Sequence, residues 1–168
     1  MPAFRWGVGI EGSAIPHLGV SQYEWTGHDR RWRSDFETIR AALGPCWLRY
    51  PIPWEQVQPG PGEAHWDEVE ERLEYAAGLG LKVVAGLVHF GTPTWLPQAF
   101  GDPDFPHALA EYAEAFACRL DPLVRAYVPV NEPLVTALFA GDVGLWPPFG
   151  RGWRSYACVL GRIAAGLV

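Results

Sequence analysis

The sequence predicts an α/β fold of the TIM-barrel type, built from about four consecutive β/α units. Three observations carry this expectation. Strand-like and helix-like segments alternate along the chain. The loops after the strands (11–33, 50–65, 90–105 and 131–154) are long and rich in Pro, Gly and Trp, whereas the loops after the helices are short. Each strand-like run also ends on polar or charged side chains, on the face where this fold builds its sites. A closed barrel takes eight units and about 250 residues, and the 168 residues here supply half of that. No linker, internal repeat or low-complexity segment divides the chain, so residues 1–168 are expected to form one unit.

The elements follow in order. Residues 4–10, "FRWGVGI", read as a short strand. Residues 34–43 read as a helix from the spacing of Phe36, Ile39, Arg40 and Leu43, with Ser34 and Glu37 as a capping box and Gly44-Pro45 as its end. "CWLRY", 46–50, is a second strand. The helix over 66–80 has acidic Asp67 and Glu70 at its start, Val69, Leu73 and Ala76 on its inner face, and Gly78 and Gly80 at its end. Residues 81–90, "LKVVAGLVHF", are a continuous apolar run, as in a parallel strand covered on both faces. A helix over 106–120 carries the stripe Leu109, Tyr112, Ala113, Phe116 and Leu120. Residues 126–130 are the fourth strand and 155–168 the fourth helix.

Composition excludes several classes. With 49% hydrophobic and 19% charged residues the chain is globular rather than disordered. A net charge of −6 without any Lys/Arg run argues against nucleic acid or an anionic membrane as partner. No apolar run is long enough to span a bilayer. The N-terminus lacks the basic and apolar regions of a signal peptide, and the three cysteines form no CxxC pair and read as reduced thiols. A cytoplasmic location is therefore expected. Nine Trp, eight Phe and six Tyr are the compositional outlier; they serve either a well-filled core or stacking platforms for flat ligands.

The strand ends carry the chemistry. In parallel strands Glu11, Arg49, His89, Asn131 and Glu132 would converge on one face. Each alone has a structural explanation: a core histidine, a structural ion pair, a solvated loop carboxylate. Together they make a polar site on an apolar scaffold. The histidines show no HxxxH or HxH spacing and the cysteines do not join them, so neither a metal nor another cofactor is expected. "GVGIEG", 7–12, matches G-x-G-x-x-G, but Pro16 and Gly19 oppose the helix that a dinucleotide fold needs next. No GxSxG elbow occurs. What remains is carboxylate chemistry, in which burial at a strand end favours the protonated form that an acid needs.

Here the sequence resembles a known group. "VNEP" (130–133), "HFGTPTWL" (89–96) and "WLRYPIPWEQVQP" (47–59), in this order and at these strand ends, resemble the family 1 glycoside hydrolases, the β-glucosidase and β-galactosidase group. "GLWPPFGR" (144–151) resembles the Pro-rich loop after that family's fourth strand. The resemblance implies a (β/α)8 barrel, a retaining mechanism, Glu132 as general acid/base and Asn131 at the sugar's 2-hydroxyl. It further implies His89 on the glycone and Arg49 beside the nucleophile; Glu11, Phe90 and Trp146 complete the expected substrate-binding set. The family's first-strand Gln and its Trp after the His are replaced by Gly9 and Phe90.

The family's nucleophile lies at the end of a seventh strand, and no residue here takes that role by motif. In a two-fold pairing of half-barrels the seventh position falls to the strand that ends in His89. The expectation is thus an N-terminal half-barrel that carries the acid/base without the nucleophile. It would act on a mono- or oligosaccharide or β-glycoside substrate and need a C-terminal half or self-association. The alternative is a carbohydrate-binding half-barrel without hydrolysis.

Overall fold

The computed structural model describes residues 5–168; Phe4, where the expected first strand begins, lies outside the described residues. Four parallel strands, β1 (Gly7–Gly9), β2 (Trp47–Pro51), β3 (Lys82–Val88) and β4 (Val124–Val130), lie side by side in chain order. Four helices follow them in turn: α1 (His28–Leu43), α2 (Asp67–Gly78), α3 (Phe105–Leu120) and α4 (Trp153–Ala165). This is the expected half-barrel. The register places Gly9 beside Arg49, Arg49 beside Val84, and Val84 beside Ala126, so these positions share one face of the sheet. An irregularity between Val83 and Val84 inserts Arg125 into β4.

The other face is the core side. Leu48 and Tyr50 of β2 and Val83, Ala85 and Leu87 of β3 are buried in one cluster with Phe36, Leu73, Leu109, Tyr112 and Phe116 of the helices. Much of the aromatic content is spent here. Tyr112 stacks on Trp54 at 5.1 Å and on Trp66 at 6.1 Å, and Phe36 meets Tyr50 edge-on at 5.2 Å. Trp6, Trp25 and Trp153 stay exposed.

Helix α1 begins six residues before the expected start. The short helix Gln22–Thr26 ends at Gly27, whose φ of 71° turns the chain directly into α1. His28, Trp32 and Phe36, spaced by four, are all buried, so the apolar stripe extends upstream of Ser34. Ser34 is consequently not a cap; its hydroxyl donates to the Arg31 carbonyl at 2.8 Å. The "loops" also hold structure of their own: a hairpin of Ala14–Ile15 with Val20–Ser21, short helices Trp54–Val57 and Pro133–Ala137, and a π-helical turn, Leu138–Val143. Among the described residues no helix is long and apolar enough to cross a membrane.

A buried polar network stands behind β2. Arg72 donates to the Tyr50 hydroxyl at 3.0 Å and pairs with Glu68. His28 Nε2 lies 3.2 Å from that hydroxyl and its Nδ1 2.7 Å from Asp35. Burial holds His28 below its ordinary pKa, against the pull of Asp35. The network fixes Tyr50 and with it the end of β2, next to Arg49.

Candidate active site

The site is built by how the four strands stop. Beyond β1, Ile10 N–H donates to the Arg49 carbonyl at 3.0 Å, which prolongs the ladder to Glu11. Beyond β3, the His89 carbonyl accepts from Ala14 N–H at 3.3 Å, tying the hairpin to this strand end. Beyond β4, Asn131 N–H donates to the Val88 carbonyl at 2.9 Å. Extra ladder bonds thus carry three functional side chains one or two residues past the strands proper.

Those side chains form a chain of contacts across the rim. Glu11 reaches over β2 to place Oε2 3.0 Å from His89 Nε2, while its Oε1 lies 3.5 Å from Arg49 Nη1. Arg49 Nη2 donates to Asn131 Oδ1. Asn131 is buried, and its carbonyl accepts from the Thr136 hydroxyl at 3.2 Å. Burial holds His89 below its ordinary pKa; Arg49 acts in the same direction, and the charges of Glu11 and Glu132 oppose it. Glu132 is therefore electrostatically close to the same cluster.

Glu132 itself has φ 44°, ψ 62°, a left-handed backbone that costs a non-glycine residue of order 1 kcal/mol or more. Pro133 follows at the first position of the helix Pro133–Ala137, which Pro's fixed φ suits. The strand therefore ends in a sharp corner at Glu132. Phe90, one residue past His89, is left-handed as well, at φ 69°. Two non-glycine residues in this conformation, at neighbouring strand ends, mark the rim as a place where backbone ease is given up for side-chain position.

An aromatic wall flanks the polar row. Phe90 packs on His89 at 5.1 Å and on Trp146 at 5.1 Å, and Trp146 packs edge-on against Phe139 at 4.9 Å. Phe139 was not singled out by sequence reasoning; its spacing of seven from Trp146 within a Pro- and Gly-rich loop is the only signal it offers. The rim brings Glu11, Arg49, His89 and Asn131 into mutual contact and sets Phe90 and Trp146 beside them. Burial of the carboxyl is not met at Glu132, which is exposed; the apolar surroundings that the four strands provide lie behind the sheet. A carboxyl that burial does raise, to about 7, is Glu55, which sequence reasoning passed over. It packs under the rim: a Cβ on Gly91 would lie 2.9 Å from its Oε2.

The fold is a half-barrel of the TIM type, with a polar row along the rim at its strand ends. No protein-family model matches the chain. Curated relatives do. "Beta-glucosidase 1" of Oryza sativa subsp. japonica is 26% identical over 162 residues, 92% of this chain and 29% of that protein. "Thermostable beta-glucosidase B" of Thermobispora bispora is 30% identical over 123 residues, 70% of this chain and 26% of that protein. The solved family 1 β-glucosidase of Thermotoga maritima shares the fold with a TM-score of 0.76 at 20% identity, over 83% of this chain and 33% of that one. The resemblance to family 1 glycoside hydrolases is borne out, at low identity, and the chain spans less than a third of the length of these curated relatives.

Proposed function

We propose that residues 1–168 form one structural unit, the acid/base half of a retaining glycosidase site for β-O-glycosidic bonds of the glucoside or galactoside kind. Glu132 is the general acid/base: it protonates the leaving oxygen, then deprotonates the water that releases the sugar. Asn131, held by Arg49, receives the 2-hydroxyl. Glu11, His89, Phe90 and Trp146 line the remainder of the sugar site. The nucleophilic carboxylate of a retaining enzyme stands about 5–5.5 Å from the acid/base, and in this reading it comes from outside these four strands. The observation that supports the reading most is the Asn131–Glu132 corner: a hydrogen-bonded amide followed by a carboxylate in a strained backbone, within the field of His89.

The second reading, sugar binding without hydrolysis, is favoured by the exposure of Glu132. One experiment separates the two. In the active enzyme, Glu132→Gln should lower turnover by several orders of magnitude on glycosides with poor leaving groups. The loss should be much smaller with an activated aryl leaving group, whose departure needs little acid. Equal losses on both substrates would remove Glu132 from the acid/base role.

A further inference from the structure

A pocket of about 430 Å3 lies off the rim and shares no lining residue with the strand-end row. It opens between the loop after β2, residues 58–64, and helix α3, with Trp95 from the loop after β3 beside them. Its size falls within the range of small-molecule sites, roughly 300–1,000 Å3. The run "QPGPGEA" (58–64) supplies one wall, and the small side chains of Ala108 and Ala115 on α3 leave room at the other.

Gln58 organises this pocket. Its backbone carbonyl accepts from the Trp95 indole N–H at 2.9 Å, and its side-chain Oε1 accepts from the Trp54 indole N–H at 2.6 Å. An indole N–H can only donate, so the second bond assigns Oε1 to Trp54. The Gln58 NH2 is left with two donors and no hydrogen-bond partner among the described residues. Trp95 has spent its one polar atom, so what it offers the pocket is apolar ring.

The acceptors come from the start of α3. Asp104 and Glu111 are exposed and line the pocket. Glu111 Oε1 lies 3.3 Å from His107 Nε2, and the remaining lone pairs of both carboxylates are open to a ligand. This chemistry is selective. The lining holds two carboxylates and neither Lys nor Arg, which disfavours a phosphate or any other anion. Among the described residues no group of three or more His, Cys, Asp or Glu is placed to hold a metal ion, Asp104, His107 and Glu111 included. An organic cation would suit the carboxylates and the ring but has nothing to accept the Gln58 donors. A sugar hydroxyl both donates and accepts, and a pyranose ring joins an apolar C–H face to a rim of hydroxyls.

We propose that this pocket is a second carbohydrate-binding site, for a neutral pyranoside. One sugar ring lies against Trp95, its hydroxyls accepting from the Gln58 amide and donating to Asp104 and Glu111. The site stands apart from the glycosidase reading and holds sugar whether or not the rim is catalytic.

The test is an NMR titration of cellobiose into the 168-residue chain with 15N in its Trp indoles and Gln side chains. The Trp95 indole signal is the one that Trp95→Phe removes, and the Gln58 amide the one that Gln58→Glu removes. Both should shift saturably with cellobiose and stay still with choline or inorganic phosphate. The double substitution Asp104→Ala with Glu111→Ala should weaken this binding roughly tenfold or more, the worth of a hydrogen bond to a charged group. Both positions are exposed and Asp104 gives α3 no side-chain cap, so far-UV circular dichroism should be unchanged. Gln58→Glu, which keeps an acceptor for Trp54 and removes the donors, should weaken binding severalfold. A Trp95 signal that cellobiose does not move, or affinity within twofold in the double variant, would overturn the proposal. A shift with choline and none with cellobiose would overturn it too. Shifts confined to the Trp146 indole would overturn this site and leave the glycosidase reading in place.

Discussion

The two faces of the four-stranded sheet are built to different ends. On the helix side, Leu48, Tyr50, Val83 and Ala85 are exposed by 1% or less and interlock with aromatic side chains from three helices. On the opposite face the register aligns Gly7 and Gly9, Trp47 and Arg49, Lys82 and Val84, Ala126 and Val128, all half-buried or exposed, while Pro51, Gly86, Val88 and Val130 toward the strand ends of this face are buried. The same strands thus complete one core and leave a second surface open. Among the described residues β1 and β4 each have a strand on one side only, and unpaired edges invite another strand. Stability lies behind the sheet, and the candidate chemistry lies on the rim of the face left open.

Core truncation should show the contrast most strongly. Phe36→Ala removes a fully buried ring from the helix side and should cost about 3–5 kcal/mol in denaturant unfolding. Val128→Ala, on the open face, should cost less than about 1 kcal/mol in the isolated chain. Comparable losses would mean that the inner face is covered in solution, which would break the comparison.

Glu55 sits where the two regions meet, and pH should expose it. Its carboxyl keeps its proton to about pH 7 in the fold, whereas in the unfolded chain it ionises near the ordinary value of about 4.3. Unfolding between those values releases a proton. The associated stability is complete below the unfolded pKa and is lost as pH rises through 7, a loss of about 3–4 kcal/mol. Glu55→Gln should flatten the profile of thermal midpoint against pH between about 4 and 7 and raise the midpoint at the alkaline end. An unchanged profile would mean that the carboxyl ionises in place.

The smallest effect is expected on the outer surface. Arg119 pairs with Glu70 at 2.6 Å, but both side chains are substantially solvated. Arg119→Ala should cost no more than about 0.5–1 kcal/mol, and less in high salt.

How much of this could be read from the sequence follows the same division. The strands were legible because parallel strands covered by helices are continuous apolar runs, 81–90 above all. The strand-end residues were legible because the first polar side chain after such a run falls on the rim. The start of α1 was not, because His28 and Trp32 lie among Asp and Arg residues that look like a solvated loop. Arg72 reads as one more surface charge in "EERLE" and is in fact 3% exposed, held by the Tyr50 hydroxyl. The left-handed corners at Phe90 and Glu132 have no sequence signal, since neither is Gly or Asn. Glu132's exposure was missed because burial depends on what faces the rim, and the local sequence carries no information on that.

The most direct test of the account is to purify the 168-residue chain alone and assay it against aryl β-glucosides and β-galactosides, with its size measured in the same sample. With the inner face of the sheet open, and with the nucleophile supplied from outside these four strands as proposed above, the expected result is an associating or poorly soluble chain without significant turnover. A monodisperse monomer with turnover that Glu132→Gln abolishes would contradict it.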